Sequence, residues 1–361
     1  MRRALIEIMI FLSGARTFVL KQSKMSVLTA KDFASDQEVR WCPGCGDYSI
    51  LKQVQSVLPE TGLLPQDIVF VSGIGCSSRF PYYMNTYGVH SIHGRAVTIA
   101  TGLKMTRPEL SVWIITGDGD GLSIGGNHTF HLLRRNPDVQ VLLFNNEIYG
   151  LTKGQYSPTS EYGKKTKSSP YGTVDHPVNP ISFALGAQGT FVARTIDRDP
   201  QHLRYIIREA IAHKGTSFIE IYQNCNVFND GAFEVFSDKA HKADNTLQLV
   251  PGEPLIFGTH RDKGIRLNGC SPEVVTLYED FSADDLWIHD PNDLTKAWIL
   301  ANFFEMPGSD HFLPRPFGIF CQIQRPTYES LVSDQVSKAK AGRSTRSLDE
   351  LIAGQQTWVV A

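Results

Sequence analysis

Four of the six cysteines in this chain stand where their thiolates could act together. Cys42 and Cys45 form a C-x-x-C pair, which can be a redox disulfide, half of a zinc site or half of an iron–sulfur site. Cys76 and Cys225 each follow a predicted strand, so we expect both near the pair at one edge of a sheet. The other two cysteines lie in the tail of the chain without paired spacing, and we predict no role for them.

Oxygen-bearing residues follow two further predicted strands. In the segment IITGDGDGLSIGG, Gly117 ends a strand and Asp118 follows it, while Asn146 follows the next strand. Glycines let the backbone approach a diphosphate at the start of a helix, where free N–H groups point outward. The Asp118 carboxylate, the Asn146 amide and the Ile148 carbonyl would supply oxygens that, with two phosphate oxygens, suit Mg²⁺.

A glycine-rich turn without a ligand is the simpler interpretation of a lone GDG motif. GDG at one strand end and NN at the next is a more specific pattern, and it resembles the thiamine diphosphate and Mg²⁺ motif of thiamin-dependent enzymes. Thiamin chemistry also needs a carboxylate that activates the aminopyrimidine, usually from another domain. Because the sequence has one motif-bearing α/β unit, we expect a partner chain to complete the site.

The candidate thiamine diphosphate site helps to choose among the disulfide, zinc and iron–sulfur interpretations of the cysteines. A thioredoxin-type pair opens a helix just after a strand, and no clear strand precedes Trp41. A Cys₄ zinc site usually has two C-x-x-C knuckles, and here there is one. A [4Fe–4S] cluster tolerates one pair with two distant cysteines. Because oxidative decarboxylation of a 2-oxoacid releases electrons one at a time, the cluster is the interpretation we favour.

These motifs together resemble the β subunit of 2-oxoacid:ferredoxin oxidoreductases, most closely the 2-oxoglutarate type. The resemblance covers about residues 36–236 and is carried by WCPGCGDYSILK, GIGCSSRFPYY, HSIHGRAVTIATGLK, GDGDGLSIGGNH, NNEIYGLTKGQYSPTS and NPISFALGAQGTFVAR. It implies that thiamine diphosphate contacts Ile74, Gly75, Cys76, Ser77, His93, Gly119, Asp120, Gly150 and Leu151. It also implies a [4Fe–4S] cluster on Cys42, Cys45, Cys76 and Cys225, Mg²⁺ on Asp118, Asn146 and Ile148, and an α subunit as partner, in an αβ heterodimer or a dimer of it.

Three side chains near these motifs are candidates for contact with the reacting groups. Arg79 would pair a distal substrate carboxylate bidentately, the alternative being a surface or inter-subunit ion pair. Lys153 is a second candidate cation, and pyruvate-type relatives tend to have glycine there, which favours a dianionic substrate. His93 would donate a hydrogen bond to the cofactor or to a developing oxyanion, or would be a core histidine.

Alternating elements must bring these groups together. Strands are predicted at 67–75, 111–116, 139–146, 190–195 and 217–222, and helices at 50–58, 94–105, 123–136, 200–214 and 295–305. Short Val- and Ile-rich strands between amphipathic helices predict an α/β fold with a doubly wound, mostly parallel sheet, of the thiamine diphosphate-binding type that the resemblance implies. Ligands bind at the carboxyl ends of strands in such sheets. Residues 150–182, rich in Gly, Pro, Ser and Thr, predict a long functional or mobile loop.

The composition limits the classes of protein. With 361 residues, 42% of them hydrophobic, the chain can bury a sizeable core. The net charge of −2 gives no bulk attraction to nucleic acid or to an acidic membrane. Six cysteines are too few for a disulfide scaffold. We expect a cytoplasmic protein with reduced thiols and no membrane association.

We divide the chain into three parts. Residues 1–24 hold a short apolar run that Glu7 interrupts, between basic residues, and we predict a disordered or non-native extension with Met25 as an alternative start. Residues 25–236 are predicted to form the thiamine diphosphate-binding domain with the cluster ligands. Residues 237–361 are predicted to be an irregular C-terminal extension packed on the domain or on a partner.

The expected reaction converts 2-oxoglutarate, coenzyme A and oxidised ferredoxin into succinyl-CoA, CO₂ and reduced ferredoxin. Within the same class, the alternative is a different 2-oxoacid such as pyruvate. A non-oxidative thiamin decarboxylase and a non-catalytic Cys₄ zinc module that scaffolds a partner are the alternatives from other classes.

Overall fold

An eight-stranded sheet forms the centre of the structure. The computed structural model describes residues 28–278, 281–304, 313–342, 347–355 and 358, so the extension predicted for residues 1–24 lies outside the described part. The strands of the sheet are β1 (Ile68–Ser72), β2 (Tyr87–His90), β3 (Ser111–Gly117), β4 (Val139–Asn145), β5 (Phe191–Ile196), β6 (Ser217–Tyr222), β7 (Thr246–Leu249) and β11 (Arg315–Gln322). Their order across the sheet is β2-β1-β3-β4-β6-β5-β11-β7.

Helices cover both faces of this sheet. They are α1 (Asp47–Val57), α2 (Ala96–Thr106), α3 (Gly126–Arg135), α4 (Pro180–Gly186), α5 (Pro200–Ala212), α6 (Lys242–Asn245), α7 (Leu294–Ala301), α8 (Tyr328–Ala341) and α9 (Leu348–Ala353). Apolar residues of α1 and α5 pack on one face, and those of α2, α3, α4 and α7 on the other.

The residues of β3 show why the strands are apolar along their whole length. Val112 and Ile114 belong to the hydrophobic cluster on one face, whereas Trp113 and Ile115 belong to the cluster on the opposite face. Successive side chains of a strand point to opposite faces, so a sheet with two covered faces needs apolar residues at every position. The predicted doubly wound α/β fold is therefore confirmed.

The strands from β1 to β6 are mutually parallel, but the far edge of the sheet is not. β11 pairs antiparallel with β5, and β7 pairs parallel with β11. Both strands come from the part of the chain after residue 236, so a boundary at that residue cuts through one sheet. The tail is thus more regular than expected, and its β8 (Ile256–Phe257), β9 (Lys263–Asn268) and β10 (Ser271–Thr276) form a second, three-stranded antiparallel sheet.

Several of these elements lack the sequence patterns by which strands and helices are usually predicted. Pro316 and Gly318 lie inside β11, and both residues weaken the prediction of a strand. All four residues of β2 are exposed, so this edge strand lacks an apolar pattern. α4 begins at the end of the Pro- and Gly-rich segment, where Asn179 caps it by accepting hydrogen bonds from the N–H groups of its first turn.

The parallel strands place their carboxyl ends at one edge of the sheet. β1 pairs with β3, β3 with β4, and β4 with β6, all in parallel. The residues that follow these four strands therefore approach each other, and they include the GDG motif, the NN motif and two of the four candidate cysteines. None of the helices in the described part of the chain is long and apolar enough to cross a membrane.

Candidate active site

A cavity at the carboxyl ends of β1, β3, β4 and β6 brings together the residues predicted to hold thiamine diphosphate and its metal ion. It is lined by Ile74, Gly75, Cys76, Ser77, His93, Gly117, Asp118, Gly119, Asp120, Asn146, Ile148, Gly150 and Leu151. Asp47, Phe144, Tyr149, Thr152 and Gln223, which the sequence did not single out, complete the lining. We call this space the cofactor cavity.

Asp118 is buried at the base of the cofactor cavity. Its Oδ2 accepts hydrogen bonds from Ser157 Oγ at 2.5 Å and from Thr159 Oγ1 at 2.6 Å. Burial raises the pKa of the Asp118 carboxyl to about 6. The hydrogen bonds from both hydroxyl groups lower this pKa but do not cancel the effect of burial. A divalent cation beside this carboxylate would stabilise its charged form.

Asn146 and Ile148 lie in one turn after β4. Asn146 Oδ1 accepts a hydrogen bond from the Ile148 N–H at 3.2 Å, and Asn146 Nδ2 donates to Gln223 Oε1 at 2.8 Å. The amide oxygen therefore lies on the side of Asn146 away from Gln223. One carboxylate, one amide oxygen and the nearby carbonyl line a single cavity, and this set of oxygen donors fits Mg²⁺.

Asp120 lines the cavity as expected, and its carboxylate also accepts several hydrogen bonds from the protein. Its Oδ1 accepts hydrogen bonds from the N–H groups of Ile74, at 3.1 Å, and Gly94, at 2.7 Å, and Oδ2 accepts one from Thr116 Oγ1 at 2.7 Å. Oδ1 also lies 2.5 Å from His93 Nδ1. Asp120 therefore fixes the loop after β1 and the orientation of His93, and its side chain shapes the cavity through these neighbours.

His93 is held by this contact with one ring nitrogen. Because a carboxylate accepts hydrogen bonds, Nδ1 is the protonated nitrogen of a neutral His93 ring. Nε2 has no hydrogen-bond partner among the residues that the structure describes, and the His93 side chain lines the cofactor cavity. The ring is therefore available to a ligand in the cavity.

Gly119 shows why the GDG motif needs glycine. A Cβ atom at Gly119 would lie 2.1 Å from Cε1 of Tyr149, and the Tyr149 hydroxyl donates a hydrogen bond of 3.1 Å to the Gly119 carbonyl. Any side chain at this position would push the tyrosine ring away. The glycine thus lets the turn after β4 close over the end of β3.

Cys45, Cys76 and Cys225 lie beside the cofactor cavity, and Cys42 is in the turn that leads to Cys45. A Cβ atom at Gly150 would lie 3.6 Å from both Cys76 Sγ and Cys225 Sγ. Burial raises the pKa of Cys76 to about 12. The nearby acidic groups Asp47, Cys225 and Cys42 add to this rise. Burial also raises the pKa of Cys45, and Asp47, Cys225 and Cys76 contribute to that rise. Cys45 and Cys76 are therefore protonated at neutral pH without a ligand, and a bound metal centre would be needed to deprotonate these two thiols.

The spacing of the cysteines does not suit a single ion. Among the residues that the structure describes, no three His, Cys, Asp or Glu side chains lie close enough together to hold one metal ion. A tetrahedral zinc site needs all its sulfurs about 2.3 Å from one point, whereas a [4Fe–4S] cube holds its four thiolates at separate corners. The arrangement gives the zinc module no support.

Asp47 is a buried carboxyl between the cysteines and the cofactor cavity, and the sequence interpretation missed it. Burial raises the pKa of its carboxyl to about 7, while a side-chain hydrogen bond with Cys45 acts in the opposite direction. Its position directly after CPGCG, as the first residue of α1, was the available signal. Gln223 was missed as well, because only the fold brings it to the NN motif.

Arg79 and Lys153 differ in their relation to the cavity. Arg79 lines a groove that shares Ile74, Gly75 and Leu151 with the cofactor cavity, and its guanidinium donates a hydrogen bond of 3.2 Å to the Arg40 carbonyl. Lys153 is exposed on the turn after Leu151 and lines neither space. The structure thus places Arg79, but not Lys153, at the rim of the cavity.

Comparisons with known proteins agree with this geometry. Residues 73–221 match the family of thiamine pyrophosphate enzymes through its C-terminal TPP-binding domain. The 2-oxoglutarate oxidoreductase subunit KorB of Mycobacterium tuberculosis is 51% identical over 334 residues, which are 91% of this chain and 88% of that protein. The 2-oxoglutarate synthase subunit KorB of Methanocaldococcus jannaschii is 42% identical over 52% of this chain and 70% of its own length.

A solved structure extends the comparison to the whole fold. It is the 2-oxoglutarate:ferredoxin oxidoreductase from Magnetococcus marinus with 2-oxoglutarate, coenzyme A and succinyl-CoA bound, and the likeness has a TM-score of 0.72 at 32% identity over 91% of this chain and 97% of that one. The fold is that of a thiamine diphosphate-binding domain. The chain belongs to the family of 2-oxoacid:ferredoxin oxidoreductase β subunits.

Proposed function

We propose that this chain is the β subunit of a 2-oxoglutarate:ferredoxin oxidoreductase. The reaction joins the succinyl group of 2-oxoglutarate to coenzyme A, releases CO₂, and passes two electrons singly to ferredoxin. Two KorB proteins and a solved enzyme of this specificity are similar to the chain, which supports 2-oxoglutarate over other 2-oxoacids.

The residues of the cofactor cavity would hold the two groups that this reaction requires. Asp118, Asn146 and the Ile148 carbonyl would bind Mg²⁺, and the glycines of GDG would let the backbone approach the diphosphate. Cys42, Cys45, Cys76 and Cys225 would hold the cluster. Bound thiamine diphosphate supplies the electron sink for loss of CO₂, and a [4Fe–4S] cluster supplies a one-electron acceptor.

The position of Cys76 carries the proposal. Cys76 lines the cofactor cavity, while its sulfur flanks Gly150 together with the sulfur of Cys225. A cluster ligand is therefore part of the wall of the thiamin site, so electrons would cross only a short distance between the two groups. A non-oxidative decarboxylase has no need for this arrangement.

Arg79 and His93 would act on the substrate. A guanidinium at the rim of the cavity can pair the distal carboxylate of 2-oxoglutarate, which pyruvate lacks. His93, fixed by Asp120, would contact the cofactor or the substrate through Nε2. Lys153 remains a candidate only for a state in which the turn that carries it approaches the site.

An α subunit would complete the cavity. Leu151, which lines the cavity, is 46% exposed, Ile92, next to the lining residue His93, is 68% exposed, and β2 is exposed along its length. Apolar side chains beside a cofactor site and an unpaired strand edge are features of a surface that a partner covers. That partner would bring the carboxylate that activates the aminopyrimidine.

The test is anaerobic purification of the αβ complex, followed by metal analysis and assay. We expect bound iron and sulfide, and ferredoxin reduction that requires both 2-oxoglutarate and coenzyme A and is slow with pyruvate. Colourless protein with stoichiometric zinc, or CO₂ release without an electron acceptor, would contradict the proposal.

A further inference from the structure

Gln223 lies between Asn146, which we propose binds Mg²⁺, and Cys45, which we propose binds the cluster. It follows β6, is 2% exposed and lines the cofactor cavity. Its backbone N–H donates a hydrogen bond of 2.8 Å to the Asn145 carbonyl, which continues the ladder between β4 and β6. The main chain therefore fixes the position of this side chain.

The amide of Gln223 has one orientation that satisfies its neighbours. Nε2 lies 2.6 Å from the Asn224 carbonyl oxygen, which only accepts hydrogen bonds. Oε1 must then face Asn146, whose Nδ2 donates to it at 2.8 Å. This fixes the amide of Asn146 in turn, with its oxygen away from Gln223.

The same amide nitrogen lies beside a cysteine. Gln223 Nε2 is 3.3 Å from Cys45 Sγ, within the range of a hydrogen bond to sulfur. Hydrogen bonds to the sulfurs of an iron–sulfur cluster stabilise its reduced, more negative state and so raise its reduction potential. Neighbours that orient metal ligands likewise affect metal affinity.

We propose that Gln223 is a positioning residue for both centres: its carbonyl orients Asn146 as an oxygen ligand of Mg²⁺, and its N–H group donates to the Cys45 ligand of the cluster. This inference rests on the proposed function, since it requires both metal centres. One side chain would thus orient a ligand of the Mg²⁺ ion and raise the reduction potential of the cluster.

Two substitutions separate these effects. Gln223→Met keeps the volume and removes both polar contacts, so the affinity for Mg²⁺ in the presence of thiamine diphosphate should fall about 10–100-fold, and the midpoint potential of the cluster should become more negative. Gln223→Glu keeps an acceptor for Asn146 but replaces the donor to Cys45. It should lower the midpoint potential without weakening Mg²⁺ binding.

The measurements are an EPR redox titration and a fluorescence titration of Mg²⁺ and thiamine diphosphate on the anaerobic αβ complex. Gln140→Met is the matched control, because Gln140 is a buried glutamine of β4 whose amide donates to the Ala210 carbonyl, away from the cavity. It should leave both readouts unchanged. If Gln223→Met fails to fold, Gln223→Glu still tests the donor to Cys45.

The outcomes distinguish this inference from the proposed function. A wild-type complex with no cluster signal would overturn both. A wild-type complex with a normal cluster, and a Gln223→Glu variant whose midpoint potential does not fall, would overturn the inference alone. So would Mg²⁺ affinity that Gln223→Met leaves unchanged, or that Gln223→Glu lowers as much as Gln223→Met does.

Discussion

Ser157 Oγ donates a hydrogen bond of 2.5 Å to Oδ2 of Asp118, and this contact ties the long loop after β4 to the end of β3. Ser157 and its neighbour Thr159 are both buried. The segment expected to be functional or mobile is thus anchored, near its start, to the carboxylate proposed to bind Mg²⁺. Its hydroxyl groups hold that carboxylate in place.

We expect Asp118→Asn to weaken binding of thiamine diphosphate with Mg²⁺ by at least about 100-fold, because loss of even an outer partner of a metal ligand typically lowers affinity about 10–100-fold. Calorimetry on the complex measures this change. Asp138→Asn is a suitable control, since Asp138 precedes β4 at the opposite edge of the sheet and pairs with Lys214. Equal binding by Asp118→Asn and wild type would exclude Asp118 as a ligand.

The cysteine assignment predicts a sharp division among six substitutions. Serine at Cys42, Cys45, Cys76 or Cys225 should abolish the iron–sulfur absorption and lower the bound iron. Cys270→Ser and Cys321→Ala should retain both, since Cys270 is exposed in the tail and Cys321 is buried within β11. Full iron content in Cys225→Ser would contradict the set of ligands.

Replacing Arg79 tests the choice of substrate. Arg79→Leu should lower kcat/KM for 2-oxoglutarate about 10–100-fold, the loss expected for a hydrogen bond to a charged group, and should leave the low activity with pyruvate unchanged. Arg40→Leu is the matched control, because Arg40 lines the same groove but forms an exposed ion pair with Glu38. Parallel losses with both oxoacids would indicate a structural role for Arg79 instead.

A buried ion pair between β5 and β6 predicts an effect on stability. Arg194 Nε lies 2.7 Å from Glu220 Oε2, and both side chains are almost fully buried. Arg194→Met should lower the free energy of unfolding by about 3–5 kcal/mol, because it leaves a buried charge unpaired. Arg194→Met combined with Glu220→Gln should recover most of this loss in urea unfolding, and failure to do so would mean that packing dominates.

His202 predicts a dependence of stability on pH. Burial lowers the pKa of His202 from 6.5 to about 4. Between these values the unfolded chain binds a proton that the folded chain does not, so stability is lost as the pH falls from 6.5 toward 4. His202→Gln should reduce this loss by up to about 3 kcal/mol when urea unfolding at pH 7.5 and 4.5 is compared. The same substitution at the exposed His260 should change it little.

The sequence predicted the central part of the fold because its strands are buried on both faces. The predicted strands 111–116, 139–146 and 217–222 agree closely with β3, β4 and β6, which are buried along almost their whole length. The tail could not be predicted in the same way. Its strands owe their place to pairing with distant partners, and no local pattern records which edge of the sheet is still unpaired.

The residues of the candidate site divide in the same way, into those with a local sequence motif and those placed by tertiary contacts. Motif spacing together with the family resemblance singled out the GDG and NN residues, and both line one cavity because parallel strands bring their ends together wherever they lie in the chain. It did not reveal Asp47, Ser157 or Gln223, whose roles come from tertiary contacts with those motifs. It also could not show that the Asp120 carboxylate accepts hydrogen bonds from Ile74, Gly94 and Thr116.

The pairing of β11 with β5 has a consequence for how this chain is synthesised. Residues 197–314 separate the two strands, so the ribosome releases β5 long before its neighbour exists. During that interval the nascent chain displays an open row of backbone donors and acceptors, which invites association with other polypeptides. Slow, long-range closure of this kind makes the synthesis of residues 197–314 the period in which we expect the nascent chain to be most prone to association.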